Sequence, residues 1–394
     1  MILKPSIRSN VFTNAHPLGC KANLEKQIND LNQQPTFSGP KNVLIIGGSS
    51  GYGLASRIAL AFKGGSNTIN VSYESPPKGK RSGTAGWWNN HYFKKLTSDL
   101  PSQHLDFTGD AFSKAMKQEV IKAIKENFGS IDLVIYSLAS GARKNEETGE
   151  VVRSAIKAIG EKVEGKTIDV ANKTVEDLTV DEATEQEIKD TVYVMGGDDW
   201  QQWINALNDE GLINQGFKTI SYTYIGGPTT EKIYRKGTLG KAKEDLELKA
   251  KAMDAWLQKD FNGEALISSS KAVVTKASVF IPQMPIYVAA LFDVMMKKNL
   301  HETIVSHKYR LFKDMVYGHN RIVDEENRIR LDHLEMQEDV QNETVALMGV
   351  INDKTLFDLK GTHQFFEDFY QIHGFNFSDI DYDQDLDLEA LAKQ

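Results

Sequence analysis

A single cysteine, Cys20, stands in a chain of 394 residues, so no internal disulfide can form, and no C-x-x-C or H-E-x-x-H spacing offers a structural zinc site. That cysteine usage suits a reducing cytoplasm, and no metal is expected. Basic residues are in the minority, 46 Lys+Arg against 54 Asp+Glu, and a net charge of −8 argues against nucleic acid as a partner. Long apolar runs are missing too. The richest segment, residues 279–296, is interrupted by Pro282, Gln283, Pro285 and Asp293, short of the roughly 20 apolar residues a membrane span needs. Residues 1–8 carry two cations and a proline without the apolar stretch of an export signal, so no export and no stable membrane insertion are expected. Internal repeats and Pro/Ser-rich linkers are also absent, which favours one elaborated domain over 1–394 rather than separable units.

What is present is alternation. Lys41-Asn-Val-Leu-Ile-Ile-Gly-Gly is a continuous apolar run of the kind buried on both faces of a parallel sheet, and Gly53 to Phe62 then switches to helical spacing. Thr68 to Glu74, a helical stretch from Ser113 to Phe128, and Ile131 to Ser137 continue the pattern. Further strands are expected over Phe217–Tyr224 and Ala265–Thr275, with a helix over about 239–258 between them. The fold class is therefore α/β, a Rossmann-type doubly wound parallel sheet. Around it, 1–40 reads as an N-terminal extension, 141–198 as a polar insertion, and 276–394 as a helical elaboration ending in an acidic tail.

Gly47-Gly-Ser-Ser-Gly51-Tyr-Gly53 sits where the first strand gives way to a helix, a variant of the glycine fingerprint for a dinucleotide pyrophosphate. Glu74 follows Gly53 by 21 residues at the end of the second strand, where a carboxylate accepts from ribose hydroxyls and repels a 2′-phosphate. NAD is thus expected over NADP, although Lys78, Lys80 and Arg81 nearby offer opposing charge. Asp110-Ala111 and Leu138-Ala139 lie at carboxyl ends of strand candidates, where open α/β sheets bind ligands.

Tyr234 and Lys243 are separated by eight residues. A tyrosine hydroxyl beside an ammonium is the minimum set for stabilising a carbonyl oxygen next to a nicotinamide. On one continuous helix, nine positions at about 100° each would put the two on opposite faces. They converge only if the helix begins after the tyrosine, which Gly237 and Gly240 permit, with Thr238 as candidate N-cap. Lys241 is the alternative lysine if the helix starts earlier, and Tyr224, ten residues upstream, is a candidate second donor.

Together with Lys4-Pro5, Ala15-His16-Pro17-x-Gly19-Cys20, Asp110-Ala111-Phe112, Tyr136-Ser-Leu-Ala-Ser140, Met195-Gly-Gly-Asp-Asp-Trp200 and Lys271-Ala-Val-Val-Thr275, these motifs closely resemble the FabV-type enoyl reductases, also called trans-2-enoyl-CoA reductases. The resemblance runs from residue 1 to about residue 390. It implies NADH-dependent reduction of the carbon–carbon double bond of an enoyl-CoA or enoyl-acyl-carrier-protein, usually by a monomer with lid elements over the substrate. It further implies Tyr234 as catalytic donor, Lys243 as catalytic and cofactor-contacting lysine, and Tyr224 as substrate contact. Gly47, Gly48, Ser49, Ser50, Gly51, Tyr52, Tyr73, Glu74, Asp110, Ala111, Leu138, Ala139, Val273, Val274 and Thr275 would line NADH. Some members carry a second lysine where this chain has Glu244. The rival readings are a ketoreductase, against which the Tyr–Lys spacing argues, and a non-catalytic NADH sensor, against which the intact pair argues.

Other features carry less. Asp381, Asp383, Asp385 and Asp387 mimic the start of a calcium loop but lack its central glycine and terminal Glu, so a solvated tail is expected. His16 and Cys20 lack a second ligand pair and read as structural, as do Trp87 and Trp88. The methionine- and aromatic-rich segment 282–296 suits either ordinary core or an acyl-chain cover.

Overall fold

A computed structural model describes residues 1–394. The central sheet has seven strands: β1 (Asn42–Ile46), β2 (Asn67–Ser72), β3 (His104–Thr108), β4 (Ile131–Tyr136), β5 (Ile213–Thr223), β6 (Glu264–Ser269) and β7 (Ile329–Arg330). Their order is β7-β6-β5-β4-β1-β2-β3, with every pairing parallel. This is the doubly wound order, and its direction reverses between β1 and β4.

Eleven helices are used below: α1 (Pro17–Asn29), α2 (Gly51–Phe62), α3 (Ala85–Leu96), α4 (Lys114–Asn127), α5 (Glu185–Met195), α6 (Asp198–Asp209), α7 (Thr238–Phe261), α8 (Met284–Lys297), α9 (Ile304–Arg310), α10 (Glu338–Val350) and α11 (Lys360–Gln371). Every residue of β1 is buried, and the pleat divides them: Leu44 and Ile46 face α4, α6 and α7, while Val43 and Ile45 face Leu60, Phe312 and Met315. A strand coated on both sides explains its unbroken apolar sequence. The segment 141–198 forms two antiparallel ribbons, Ala142–Lys144 with Val151–Arg153 and Val163–Asp169 with Thr174–Val180, followed by α5. No helix is long and apolar enough to cross a membrane.

Two expectations change. The strand expected over 265–275 ends at Ser269: β7 pairs only with Ser268 and Ser269, Ser270 N–H still donates to the Thr223 carbonyl at 2.9 Å, and the two amides beyond it take side-chain acceptors, Lys271 N–H donating to His307 Nε2 at 3.2 Å and Ala272 N–H to Glu335 Oε2 at 2.6 Å. The acidic tail is not merely solvated, since Asp383 accepts from Lys4 Nζ at 2.5 Å and ties the C-terminal segment to the N-terminal one. His16 is structural, fully buried as N-cap of α1 with Nδ1 accepting from Gly19 N–H at 3.2 Å. Trp88 is buried, its indole N–H donating to the Ser82 carbonyl. Segment 282–296 becomes α8, a helix buried on nearly all sides at the centre of the core cluster that also holds Tyr224 and Tyr234.

Candidate active site

The turn after β1 is shaped by close backbone approach. Gly47 adopts φ +92°, and a Cβ there would lie 2.5 Å from the Ser137 carbonyl oxygen, so the carboxyl ends of β1 and β4 touch at the reversal of strand order. A Cβ on Gly53 would lie 2.0 Å from the Gly47 oxygen, so only glycine lets α2 start tight against the turn. Ser50 is the N-cap of α2, yet its side chain bonds none of the first-turn amides, which remain available to an anion. These residues fit a dinucleotide pyrophosphate.

Ser49 Oγ donates to Glu74 Oε1 at 2.6 Å, and the Glu74 side chain packs on Gly86 at the start of α3. The carboxylate is thus fixed beside the glycine turn. Tyr73 is 81% exposed, an open aromatic face at the same edge, while Lys78, Lys80 and Arg81 are exposed in the following loop. Asp110 Oδ1 accepts from Phe112 N–H at 3.0 Å and Ala111 is buried. Leu138 and Ala139 follow β4, with Ala139 exposed at the cleft edge. Val273 and Val274 are buried, and the Thr275 methyl faces the Gly51 Cα hydrogen position, so that segment closes over the turn. Tyr52 departs from a cofactor-lining role in its side chain: the hydroxyl donates to the Lys271 carbonyl at 2.5 Å and the ring carries the Lys308 ammonium at 4.4 Å from its centroid.

The start of α7 sets where Tyr234 and Lys243 lie along the chain. α7 starts at Thr238 with Gly237 as N-cap, so Thr238 is the first helical residue rather than the cap, and its hydroxyl instead accepts from Lys157 N–H at 3.1 Å. Tyr234 lies on the preceding turn and Lys243 in the second turn of the helix. Lys243 Nζ donates to the Tyr222 carbonyl at 3.2 Å, at the carboxyl end of β5, and burial lowers its pKa to about 8 despite nearby Glu247. Lys241 points outward, exposed and paired with Glu244 at 2.8 Å, so Lys243 rather than Lys241 is the lysine buried against β5. The rings of Tyr224 and Tyr234 meet edge to face with centroids 5.0 Å apart. Burial raises both phenols above their ordinary value and keeps them protonated as donors.

Two buried groups escape sequence reasoning: Glu335, which accepts from the Tyr224 and Tyr287 hydroxyls at 3.2 and 2.7 Å, and Lys308; Lys271, named there only as the start of its motif, is buried as well. The sequence also left Asp199 unassigned within its motif. That carboxylate lies under the end of β4, accepting from Lys117 Nζ at 2.7 Å and from the Tyr136 hydroxyl at 3.1 Å.

Comparison with known proteins finds relatives along the whole chain. Residues 2–79 match the family described as the NAD(P)H binding domain of trans-2-enoyl-CoA reductase, and residues 81–317 its catalytic region. Residues 323–386 match a family described as an enoyl reductase FAD binding domain. Here that segment contributes α10 and α11, with Phe365, Phe366 and Phe369 packed into the core around α8 and no glycine-rich strand-to-helix turn, so its residues do not form a flavin cradle. An enoyl-[acyl-carrier-protein] reductase [NADH] of Coxiella burnetii is 44% identical over 99% of this chain and 97% of its own. A trans-2-enoyl-CoA reductase [NADH] of Clostridium perfringens is 42% identical over 99% of this chain and 100% of its own. The crystal structure of a Clostridium trans-2-enoyl-CoA reductase in complex with NADH superposes with a TM-score of 0.97 at 42% identity, covering 100% of this chain and 99% of that one.

Proposed function

Because the chain belongs to the trans-2-enoyl-CoA reductase family, an NADH-dependent oxidoreductase of trans-2-enoyl thioesters, we propose that Tyr234 and Tyr224 are the groups that stabilise the thioester oxygen during reduction. The observation that carries this reading is the edge-to-face pair of Tyr224 and Tyr234, Tyr224 lying two residues beyond the Tyr222 carbonyl that holds Lys243.

Gly47 to Gly51 and the α2 N-terminus would hold the pyrophosphate, Glu74 with Tyr73 the adenosine end, and Leu138, Ala139 and Val273 to Thr275 the nicotinamide end. NADH, when bound, supplies the hydride that reaches the β-carbon of the enoyl thioester. As negative charge moves onto the thioester oxygen, Tyr234 donates its proton-bearing hydroxyl to it, with Tyr224 as second donor, and a proton then adds at the α-carbon. Lys243, anchored on the Tyr222 carbonyl, keeps a positive charge near that oxygen and the cofactor ribose. α8 walls the site with Met284, Tyr287 and Leu291 and excludes water from it. A monomer working in the cytoplasm on either CoA- or carrier-protein-bound substrate is the setting we infer: relatives are named for both substrates, and the buried thiol of Cys20, with no second cysteine to pair with, suits a reducing compartment.

The test follows NADH absorbance with crotonyl-CoA, beside NADPH and acetoacetyl-CoA as controls. Crotonyl-CoA should be reduced with NADH, and Tyr234→Phe should lower kcat by about 100-fold or more while NADH affinity stays within about twofold. Near-wild-type turnover of that variant would remove Tyr234 from the chemistry.

A further inference from the structure

Glu335 is wholly buried, just beyond the short helical turn Leu331–Leu334 that follows β7. A carboxyl group withdrawn from water is costly unless donors surround it. Here they do, and they come from three parts of the fold. Oε1 accepts from Tyr224, one residue past β5, at 3.2 Å and from Tyr287 of α8 at 2.7 Å. Oε2 accepts from the Ala272 N–H at 2.6 Å, in the segment that leads to Val273–Thr275. Gln341 of α10 locks the arrangement, its amide donating at 2.9 Å both to the Tyr287 hydroxyl and to the Glu335 carbonyl.

An apolar residue at 335 would fill the same volume without the desolvation cost, so core packing does not explain the carboxyl group. What the carboxyl group adds is an acceptor for the Ala272 N–H and for two tyrosines, one of them Tyr224. We propose that Glu335 is a positioning residue for the reduction: by taking the Tyr224 hydroxyl into a buried hydrogen bond, it sets the ring edge-on to Tyr234 and fixes where the second donor meets the thioester oxygen. The proposal rests on the roles given above to Tyr224 and Tyr234. It assigns the C-terminal segment, whose helices otherwise read as packing, a direct hold on the reacting site. The Tyr224 hydroxyl has one proton: at rest it lies on Oε1, and it turns to the thioester oxygen as negative charge develops there, while Tyr287 still donates to Oε1. Burial pushes the carboxyl up to about 7, with Tyr52, Tyr224, Tyr287, Asp332, Arg330 and Lys271 as the ionisable groups around it.

The experiment is a double-mutant cycle on the full chain with crotonyl-CoA and NADH, using Glu335→Gln, Tyr224→Phe and the pair together. Glu335→Gln should lower kcat about tenfold with NADH Kd unchanged, Glu335→Asp should recover part of the loss, and the double variant should be no slower than Tyr224→Phe alone. Independent, multiplying losses, or a wild-type kcat in Glu335→Gln, overturn the proposal. If Glu335→Gln does not fold, Tyr287→Phe loosens the same carboxyl group without replacing it. Its kcat loss should vanish in the Tyr224→Phe background, and persistence of that loss overturns the proposal. Tyr234→Phe, assayed in parallel, separates the two levels: if it too keeps wild-type turnover, the assignment of the cleft fails, whereas its inactivity beside a fully active Glu335→Gln overturns the Glu335 role only.

Discussion

Gly240 lies against the backbone of Tyr234, its N–H donating to the Tyr234 carbonyl at 2.9 Å. A Cβ at this position would stand 1.9 Å from the Arg235 carbonyl oxygen and 2.8 Å from that of Tyr234. The φ of Gly240 is not in the left-handed region, and in a helix interior alanine is the better former by about 1 kcal/mol. Close approach, rather than backbone freedom, therefore keeps glycine here. Gly240→Ala should push the turn that carries Tyr234 away from α7 and lower kcat by about 10- to 100-fold, with NADH Kd unchanged because the Gly47–Gly53 turn is untouched. Steady-state kinetics beside NADH fluorescence titration would check it. A variant with normal kcat would show that the turn adapts without moving the hydroxyl.

The Glu74 carboxylate is held by Ser49 at 2.6 Å and stands 4.0 Å from Lys276 Nζ, close to where the adenosine ribose of a bound dinucleotide would lie. Glu74→Gln keeps the shape and loses the charge that would repel a 2′-phosphate. The ratio of kcat/KM for NADPH over NADH should rise roughly tenfold, helped by the exposed Lys78, Lys80 and Arg81. An unchanged ratio would mean that discrimination lies elsewhere than in this carboxylate.

Much of this site is visible in the amino-acid order because its parts are local. The Gly47–Gly53 turn follows an apolar run that is buried on both faces, and glycines at 237 and 240 announce that the helix carrying Lys243 begins after Tyr234. Edge strand β3 is harder to bound, since His104–Thr108 is only half-buried and mixes charged with apolar residues. Glu335 is hidden for a different reason. Its partner Tyr224 is 111 positions away and its immediate neighbours, Leu334 and Met336, belong to no motif, so no spacing within the sequence marks it. The same holds for Asp199 with Lys117, 82 positions apart, and for Lys4 with Asp383, 379 apart. Local periodicity finds the strands and turns, and only the folded chain finds the polar partners that lie far apart in sequence.

Glu335 also makes stability depend on pH in a direction opposite to a salt-bridged carboxylate. Burial raises its carboxyl to about 7, while the Tyr287 hydroxyl and the Ala272 N–H pull the other way. In the unfolded chain the group titrates near about 4.3. Between those values the folded protein holds a proton that the unfolded chain has released, so the contribution of Glu335 is full below about pH 4.3 and is lost as pH rises toward 7. The loss across that window is on the order of 3 kcal/mol. Asp368, raised to about 6 by burial, acts in the same sense, so the wild-type slope is meaningful only against that of Glu335→Gln. Urea midpoints measured from pH 5 to 7.5 should fall more steeply in the wild type than in the variant. Parallel slopes would show that Glu335 is already ionised in the folded protein at pH 5, with Tyr224 donating to it throughout.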